Sequence, residues 1–552
     1  MEAGRARADD YYLAEGTGIA ERYIASPEGV RAGGTLTGDG YETWVGGYDP
    51  DTGAAKGRLR TDDQAVRFVE VVVNGPKTWS LAAALHPDIA EAYDGAQDRA
   101  AAQIIGWLAE HSTTRVGPRG RQIQVPVQEL EAVTVRHYTS RAGDPHRHLH
   151  LQVNARVFAE GKWRGLHTVG ARDSLDAING IGHGAVLTDP DFRAALASHG
   201  FRVDPESGEV VELASFTGPF SARAAQIGRN MDRYEAEWRA GNPGAEPGPK
   251  MRQSWDARAW AQARPDKVIP KDGAELTQAW VEELYGLGYR EPEMPSTDST
   301  IVANPGPRVG QLDRTGAVET IRSRLGARRS AWNAADVRGE VEHLLARTGL
   351  VATAAVRVEL AEDLTARTLV ACVPLLVDRD GSPRSVPEHL RALTSSEVLA
   401  VEGELATRLI ARAAHTPASP ASPARHVSGG IEAAQELDAA QQVVVAALAG
   451  TGPLTLVEGA AGAGKTTTLA ATRQSLERQG HRLVVVTPTL KAARVAAGRN
   501  RHHGVLGGLA GAPARLPVGH QRHLDTAAAR SERPTDRRDI PGPATERGPA
   551  AG

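Results

Sequence analysis

The segment Arg136–His150, RHYTSRAGDPHRHLH, decides how the rest of the chain reads. It links two strand-like runs, AVTVRHY and HLHLQVNARVF, through a polar connection that holds a Gly and a Pro. His148 and His150 are two residues apart, a spacing that puts both imidazoles on one face of a strand. Neighbouring antiparallel strands lie about 4.8 Å apart, so His137 at the end of the first run reaches the same point. A His-x-His pair alone says little, because half-buried histidines also cluster by chance. The third histidine, placed just before the connection, turns the pair into a candidate metal site. Three neutral imidazoles with open positions suit a divalent ion that still binds substrate.

Upstream, FVEVVV (68–73) is β-branched and reads as a buried strand. Asn74-Gly75-Pro76 ends it, and Lys77 opens an apolar-periodic helix, TWSLAAALH. DIAEAYDGAQDRAAAQIIGWLAEH has the spacing of a long amphipathic helix. TRVGPRGRQIQVPV reads as a hairpin whose loop carries Arg115, Arg119 and Arg121. Strands and helices mixed in this way predict an α/β, two-layer sandwich with a central antiparallel sheet over residues 1–230.

The whole chain has 552 residues, enough for several domains. Its 41% hydrophobic residues exclude general disorder. A net charge of −3 means that any nucleic-acid role needs local basic surfaces. The single cysteine, Cys372, excludes an intrachain disulfide and a cysteine-based zinc cluster, which fits a reducing cytoplasm. MEAGRARADDYYLAEG lacks the apolar core of a secretion signal, and LVACVPLLV from Leu369 is too short to span a bilayer. The expectation is a cytoplasmic protein with no membrane insertion.

Beyond residue 230, composition divides the chain further. Residues 231–310 are rich in Pro, Gly and charge, with one helical segment at Ala274–Tyr285, and read as an extension or linker. Residues 311–414 are mostly helical, and 415–430, HTPASPASPARHVSGG, form a Pro/Ser/Ala linker. Residues 431–497 read as a helix (Ala434–Leu448), a strand (Leu454–Val457), a Gly-rich loop, a further helix and the strand HRLVVVTPT. Residues 498–552 lose periodicity and read as a disordered tail.

GAAGAGKT (459–466) satisfies the G-x-x-x-x-G-K-[ST] pattern between that strand and helix, which predicts a partial P-loop domain of RecA-like type. Gly459, Gly462 and Gly464 would let backbone N–H groups cradle phosphates. Lys465 would pair with the β/γ oxygens of ATP and Thr466 would ligate Mg²⁺. No apolar strand ending in Asp-Glu follows Thr487, so the reading is nucleotide binding at most, without unwinding.

RHYTSRAGDPHRHLH closely resembles the three-histidine motif of MobF-class conjugative relaxases, the relaxase–helicases of plasmid transfer within the HUH endonucleases. The resemblance covers much of residues 1–230 and continues into the helicase-like part. It implies that His137, His148 and His150 bind a divalent metal (magnesium, manganese or zinc). His146 then supports those ligands or faces DNA. The family often has an acidic residue after the first histidine, where this chain has Tyr138. The pair Tyr11-Tyr12 after Asp9-Asp10 resembles the second of the family's two tyrosine clusters, which implies that Tyr11 or Tyr12 is the nucleophile. The first cluster has no counterpart here. Either this form works with one pair, or the recorded start codon is too late.

FVEVVVNGPKTWS resembles the family's strand-turn segment, in which an aspartate six residues before the proline assists the tyrosine. Glu70 holds that spacing before Pro76, which implies a general base; a solvent-facing strand carboxylate is the plain alternative. Lys77, Arg136 and Arg141 offer phosphate contacts. Gln441 and Gln442 resemble the adenine-reading glutamine of superfamily-one helicases, and TPTLKAARVAA their next motif. The implied partners are single-stranded DNA at a transfer origin, accessory relaxosome proteins and a coupling protein. Two rival readings remain open: an inactive nucleotide- or DNA-binding remnant, and a metal-dependent phosphodiesterase that cuts without covalent protein.

Overall fold

The computed structural model describes residues 18–60, 65–118, 121–140, 142–242, 247, 249–261, 273–292, 307–414, 437–459, 463–486 and 506–507. Two compact units emerge, one dominated by residues 1–243 and 247–401, the other by 402–552.

The first unit is built on a six-stranded sheet. Its strands are β1 (Ala20–Ser26), β2 (Gly29–Leu36), β3 (Phe68–Val73), β6 (Glu129–Thr139), β7 (Pro145–Ala159) and β8 (Lys162–Gly165). All pairs are antiparallel, in the order β2-β1-β6-β7-β3, with β8 on the far stretch of β7. The expected hairpin is present as β4 (Thr113–Val116) and β5 (Ile123–Pro126), paired with each other.

The helices of the sheet region are α1 (Gly38–Val45), α2 (Lys77–Leu85), α3 (Pro87–His111), α4 (Thr168–Asp173), α5 (Leu175–Leu187) and α6 (Pro190–Ser198). Period-two alternation gives β7 two kinds of face. Leu149, Leu151, Val153 and Val157 join the main core with α3 and α5, whereas His148, His150, Gln152 and Asn154 fall on the other face. In α3, Ile89, Tyr93, Ala96, Ala100, Ile104 and Leu108 repeat every three or four residues, so one stripe is buried along all 25 residues. The turn into α2 needs glycine: a Cβ on Gly75 would lie 1.9 Å from the Trp79 ring, whose Nε1 donates to the Gly208 carbonyl at 2.7 Å. On the opposite face α1 lays Tyr41 and Trp44 over Val133 and Val135. There Glu131, buried on β6, accepts from Arg22, Lys56 and the Trp44 indole.

Residues 307–395 form a helical module with its own core of Ile321, Leu325, Trp332, Val341, Leu345 and Leu364. Its helices are α7 (Arg314–Arg328), α8 (Ala334–Arg347) and α9 (Ala354–Val370). It docks on α5 by close backbone approach: a Cβ on Gly339 would lie 2.3 Å from the Asp176 carbonyl oxygen. Around that crossing Arg329 pairs with Asp176 at 3.0 Å, and buried Glu342 holds Arg338 and Arg357. Composition gave no sign of this docking.

In the second unit, α10 (Ala439–Leu448) and α11 (Lys465–Arg478) pack together, and the pair Val485–Val486 lies parallel to Leu506–Gly507. The strand expected at Leu454–Val457 is not formed among the described residues, and Leu456 is 95% exposed. A strand needs ladder partners, and none is placed beside this segment there. The motif at 487–497 and, apart from Leu506–Gly507, the tail 498–552 lie outside the described residues. No described helix is long and apolar enough to cross a membrane.

Candidate metal centre

His137 on β6 and His148 on β7 are direct cross-strand partners, and His150 follows on the same face. One ligand nitrogen from each of the three buried rings lies within 4.8 Å of the others. The β6–β7 register shifts between His137 and Thr139, so a bulge sits beside the site, where such irregularities commonly re-aim a side chain.

Hydrogen bonds set the tautomers. His148 Nδ1 lies 2.8 Å from the His146 carbonyl oxygen, and His150 Nδ1 lies 2.9 Å from a Glu70 carboxylate oxygen. Both partners only accept, so each Nδ1 donates, which leaves each Nε2 directed into the cluster. Those two Nε2 atoms face each other at 3.1 Å. With both rings neutral and protonated at Nδ1, two lone pairs would meet at that distance, and a cation between them would satisfy both. This donor set, all imidazole and oriented from behind by a carboxylate and a carbonyl, fits a divalent metal. Burial, followed by His146 and His150, holds the His148 pKa well below its ordinary value, favouring the neutral ring that ligation requires. His146 stacks on His148 at 4.4 Å, and burial and Lys77 push its pKa down to about 4.

The basic residues divide differently from the expectation. Arg136 does not turn to solvent: its guanidinium donates to Asp94 (2.9 Å), Gln97 (2.6 Å) and Asp98 (2.5 Å) on α3. As His137 faces the metal side, its neighbour faces the helices, where three acceptors take up the Arg136 guanidinium. Lys77 donates to the Pro145 carbonyl at 2.8 Å, and burial lowers its pKa. Tyr138 takes the place of the family's acidic residue and lies under Arg147, 4.3 Å from the ring centroid. Arg141, Tyr11 and Tyr12 lie outside the described residues.

In the second unit, Gly464 caps α11 in the left-handed region at φ 70°. Lys465 Nζ donates to the Gly459 carbonyl at 2.7 Å, bridging the loop. Gln441 donates to the Ala463 carbonyl at 3.2 Å, whereas Gln442 donates to Leu437. Of the two glutamines, Gln441 therefore adjoins the loop. Thr466 opens α11, and Gly462 lies outside the described residues.

A family profile described as TrwC relaxase matches residues 1–287, more than half of the chain. The chain belongs to the TrwC relaxase family. An AAA domain profile matches residues 436–504, around the P-loop. No curated protein matches the chain. Among solved structures, it is similar to conjugative relaxase TrwC in complex with oriT DNA in a metal-free form. That match has 20% identity and a TM-score of 0.38, covering 51% of this chain and 95% of the other. A metal-bound TrwC–oriT complex matches at 19% identity and a TM-score of 0.37, covering 49% and 90%. As a member of this family, the chain carries a relaxase domain with an antiparallel-sheet fold and a candidate three-histidine centre.

Side chains that sequence reading passed over are Asp94, Gln97, Asp98, Ser80 and Arg147. The signal for the first three was a polar group at i, i+3 and i+4 interrupting the Ala/Ile stripe of α3.

Proposed function

We propose that the sheet-bearing part, residues 1–230, cuts and rejoins single-stranded DNA at a plasmid transfer origin through a 5′-phosphotyrosine. The observation that carries this reading is the convergence of three buried imidazoles, with the Nε2 atoms of His148 and His150 3.1 Å apart. His137, His148 and His150 would hold the cation, and when bound it neutralises charge on the non-bridging phosphate oxygens. The phenolic oxygen of Tyr11 or Tyr12 attacks phosphorus, a Tyr–O–P bond forms, and the bond to the 3′ oxygen breaks to give a free 3′-OH. Glu70 holds His150 in its ligating tautomer and takes the phenolic proton. Rejoining reverses these steps: the 3′-OH attacks the phosphotyrosine and the tyrosine leaves.

The remaining segments follow in order: an extension over 231–310, a helical region over 311–414, a linker over 415–430 and a partial P-loop domain over 431–497. The P-loop binds ATP and Mg²⁺ through Gly459, Gly462, Gly464, Lys465 and Thr466, with glutamine side chains beside it. We assign it nucleotide binding without unwinding, a reading that rests on the lack of an apolar strand ending in Asp-Glu in the sequence after Thr487. Partners are transfer-origin DNA, relaxosome proteins and a coupling protein, in the cytoplasm.

The test is incubation of the full chain with transfer-origin oligonucleotides and Mn²⁺ or Mg²⁺, followed by denaturing gel detection of a covalent adduct. The adduct should appear with wild type and vanish when Tyr11 and Tyr12 are both replaced by Phe. Cleavage without adduct would move the assignment to a hydrolytic phosphodiesterase, and neither product would leave a binding remnant.

A further inference from the structure

The metal side of the β6–β7 pair has a counterpart on its reverse. His137 and His148 are cross-strand partners, so the distance between them depends on how β6 and β7 are held together at this level. The ladder is regular from the Ala132–Val153 pair up to the His137–His148 pair and shifts register just beyond it, between His137 and Thr139, so regular strand hydrogen bonds do not brace the pair on that side.

Side chains from α3 do. Arg136, the residue before His137, and Arg147, the residue before His148, both project to the helical face. Asp94 binds both, taking Arg136 at 2.9 Å on one oxygen and Arg147 at 2.6 Å on the other. Fully buried Gln97 accepts from Arg136 at 2.6 Å and donates to the carbonyls of Val73 (3.1 Å) and Arg147 (3.3 Å). One amide thus ties the ends of β3, β6 and β7, which carry Glu70, His137 and His148. Asp98 completes the grip on Arg136, and Ser80 on α2 accepts from the Arg147 backbone N–H at 3.0 Å. Both backbone polar groups of Arg147 are pinned immediately before a ligand.

We propose that Asp94, Gln97 and Asp98 are positioning residues that set the spacing of His137 and His148, and so the metal affinity of the site, from the opposite face of the sheet. The inference rests on the metal reading given under Proposed function. Charge-assisted bonds from one rigid helix to both arginines add a lateral tie where the regular ladder ends. Groups that orient metal ligands from outside the coordination sphere commonly influence affinity about 10–100-fold.

The test measures Mn²⁺ and Co²⁺ binding to the full chain by calorimetry, with the Co²⁺ absorption spectrum as a report on ligand geometry. Asp94→Ala should weaken binding by about 10–100-fold and alter the Co²⁺ bands. Gln97→Leu should act in the same direction, and Asp94→Asn, which keeps an acceptor, should recover part of the loss. The control is Arg99→Ala on the same helix, which breaks ion pairs with Asp189 and Asp191 away from the site. It should lower the thermal midpoint and leave affinity and spectrum unmoved. Affinity within about twofold of wild type for Asp94→Ala, or an equal loss for Arg99→Ala, overturns the positioning role. Absence of metal binding by wild type overturns the metal reading itself, and this inference with it.

Discussion

The chain carries two motifs of the kind that handle phosphates, and their surroundings differ sharply. Around the three histidines every ligating ring is buried, two have their tautomers set by named acceptors, and α3 ties the supporting strands from behind. Around the P-loop, the hydrogen bonds of Lys465 and Gln441 are exposed, and Leu456, within the strand expected at Leu454–Val457, is 95% exposed. A motif's chemistry depends on the packing that orients it. By that measure the first site is built, and the described residues of the second show fewer buried contacts.

The largest effect that could break this contrast is at the first site. Replacing His148 with Ala should abolish both metal binding and the covalent DNA adduct, while Lys465→Ala should leave adduct formation at the wild-type level. An adduct lost in the Lys465 variant would mean that the two motifs act together. The next effect is in the core: Leu151→Ala, fully buried on the sheet, should destabilise by about 3 kcal/mol in chemical denaturation. Gly339→Val should follow at about 1–3 kcal/mol, because its Cβ meets the Asp176 carbonyl and backbone cannot easily yield. In limited proteolysis the helical module of that variant should be released faster than in wild type.

A smaller effect concerns acidity. Burial, then His183 and the arginines around it, pushes the His343 pKa from 6.5 down to about 4. Between those values the unfolded chain binds a proton that the folded chain does not, so stability falls as pH drops from about 6.5 towards 4. The thermal midpoint should decline over that window, and less steeply in His343→Gln; equal slopes would remove His343 from the account. Smallest of all is Leu456→Ala, expected within about 0.5 kcal/mol of wild type because the side chain has little contact to lose. A loss like that of Leu151→Ala would show that the P-loop unit has a core after all.

Much of the sheet region was legible because its signals are local. The buried stripe of α3 repeats at helical spacing, the hairpin at 113–126 is bracketed by turn residues, and β6 and β7 run on either side of a Gly/Pro connection. The inward partners of Arg136 and Lys77 were not legible, because a basic residue beside a candidate site looks the same whether it meets DNA or the interior. Its partners, Asp94 and Pro145, are 42 and 68 residues away respectively. The docking of residues 307–395 was illegible for a similar reason: Gly180 and Gly339 look like ordinary helix glycines until two backbones are brought together. Leu454–Val457 shows the converse, a strand-like composition with no strand beside it among the described residues.

By itself, the sequence determined that His148 and His150 share a face, because side-chain alternation along a strand is a property of the backbone. It also determined, by type and spacing, that imidazoles and a nearby carboxylate were available. Tertiary structure alone decided that His137 stands opposite His148, that Glu70 reaches His150 Nδ1, and that Arg136 and Arg147 converge on Asp94. These depend on strand register and helix placement, which are set by packing between residues far apart in the chain.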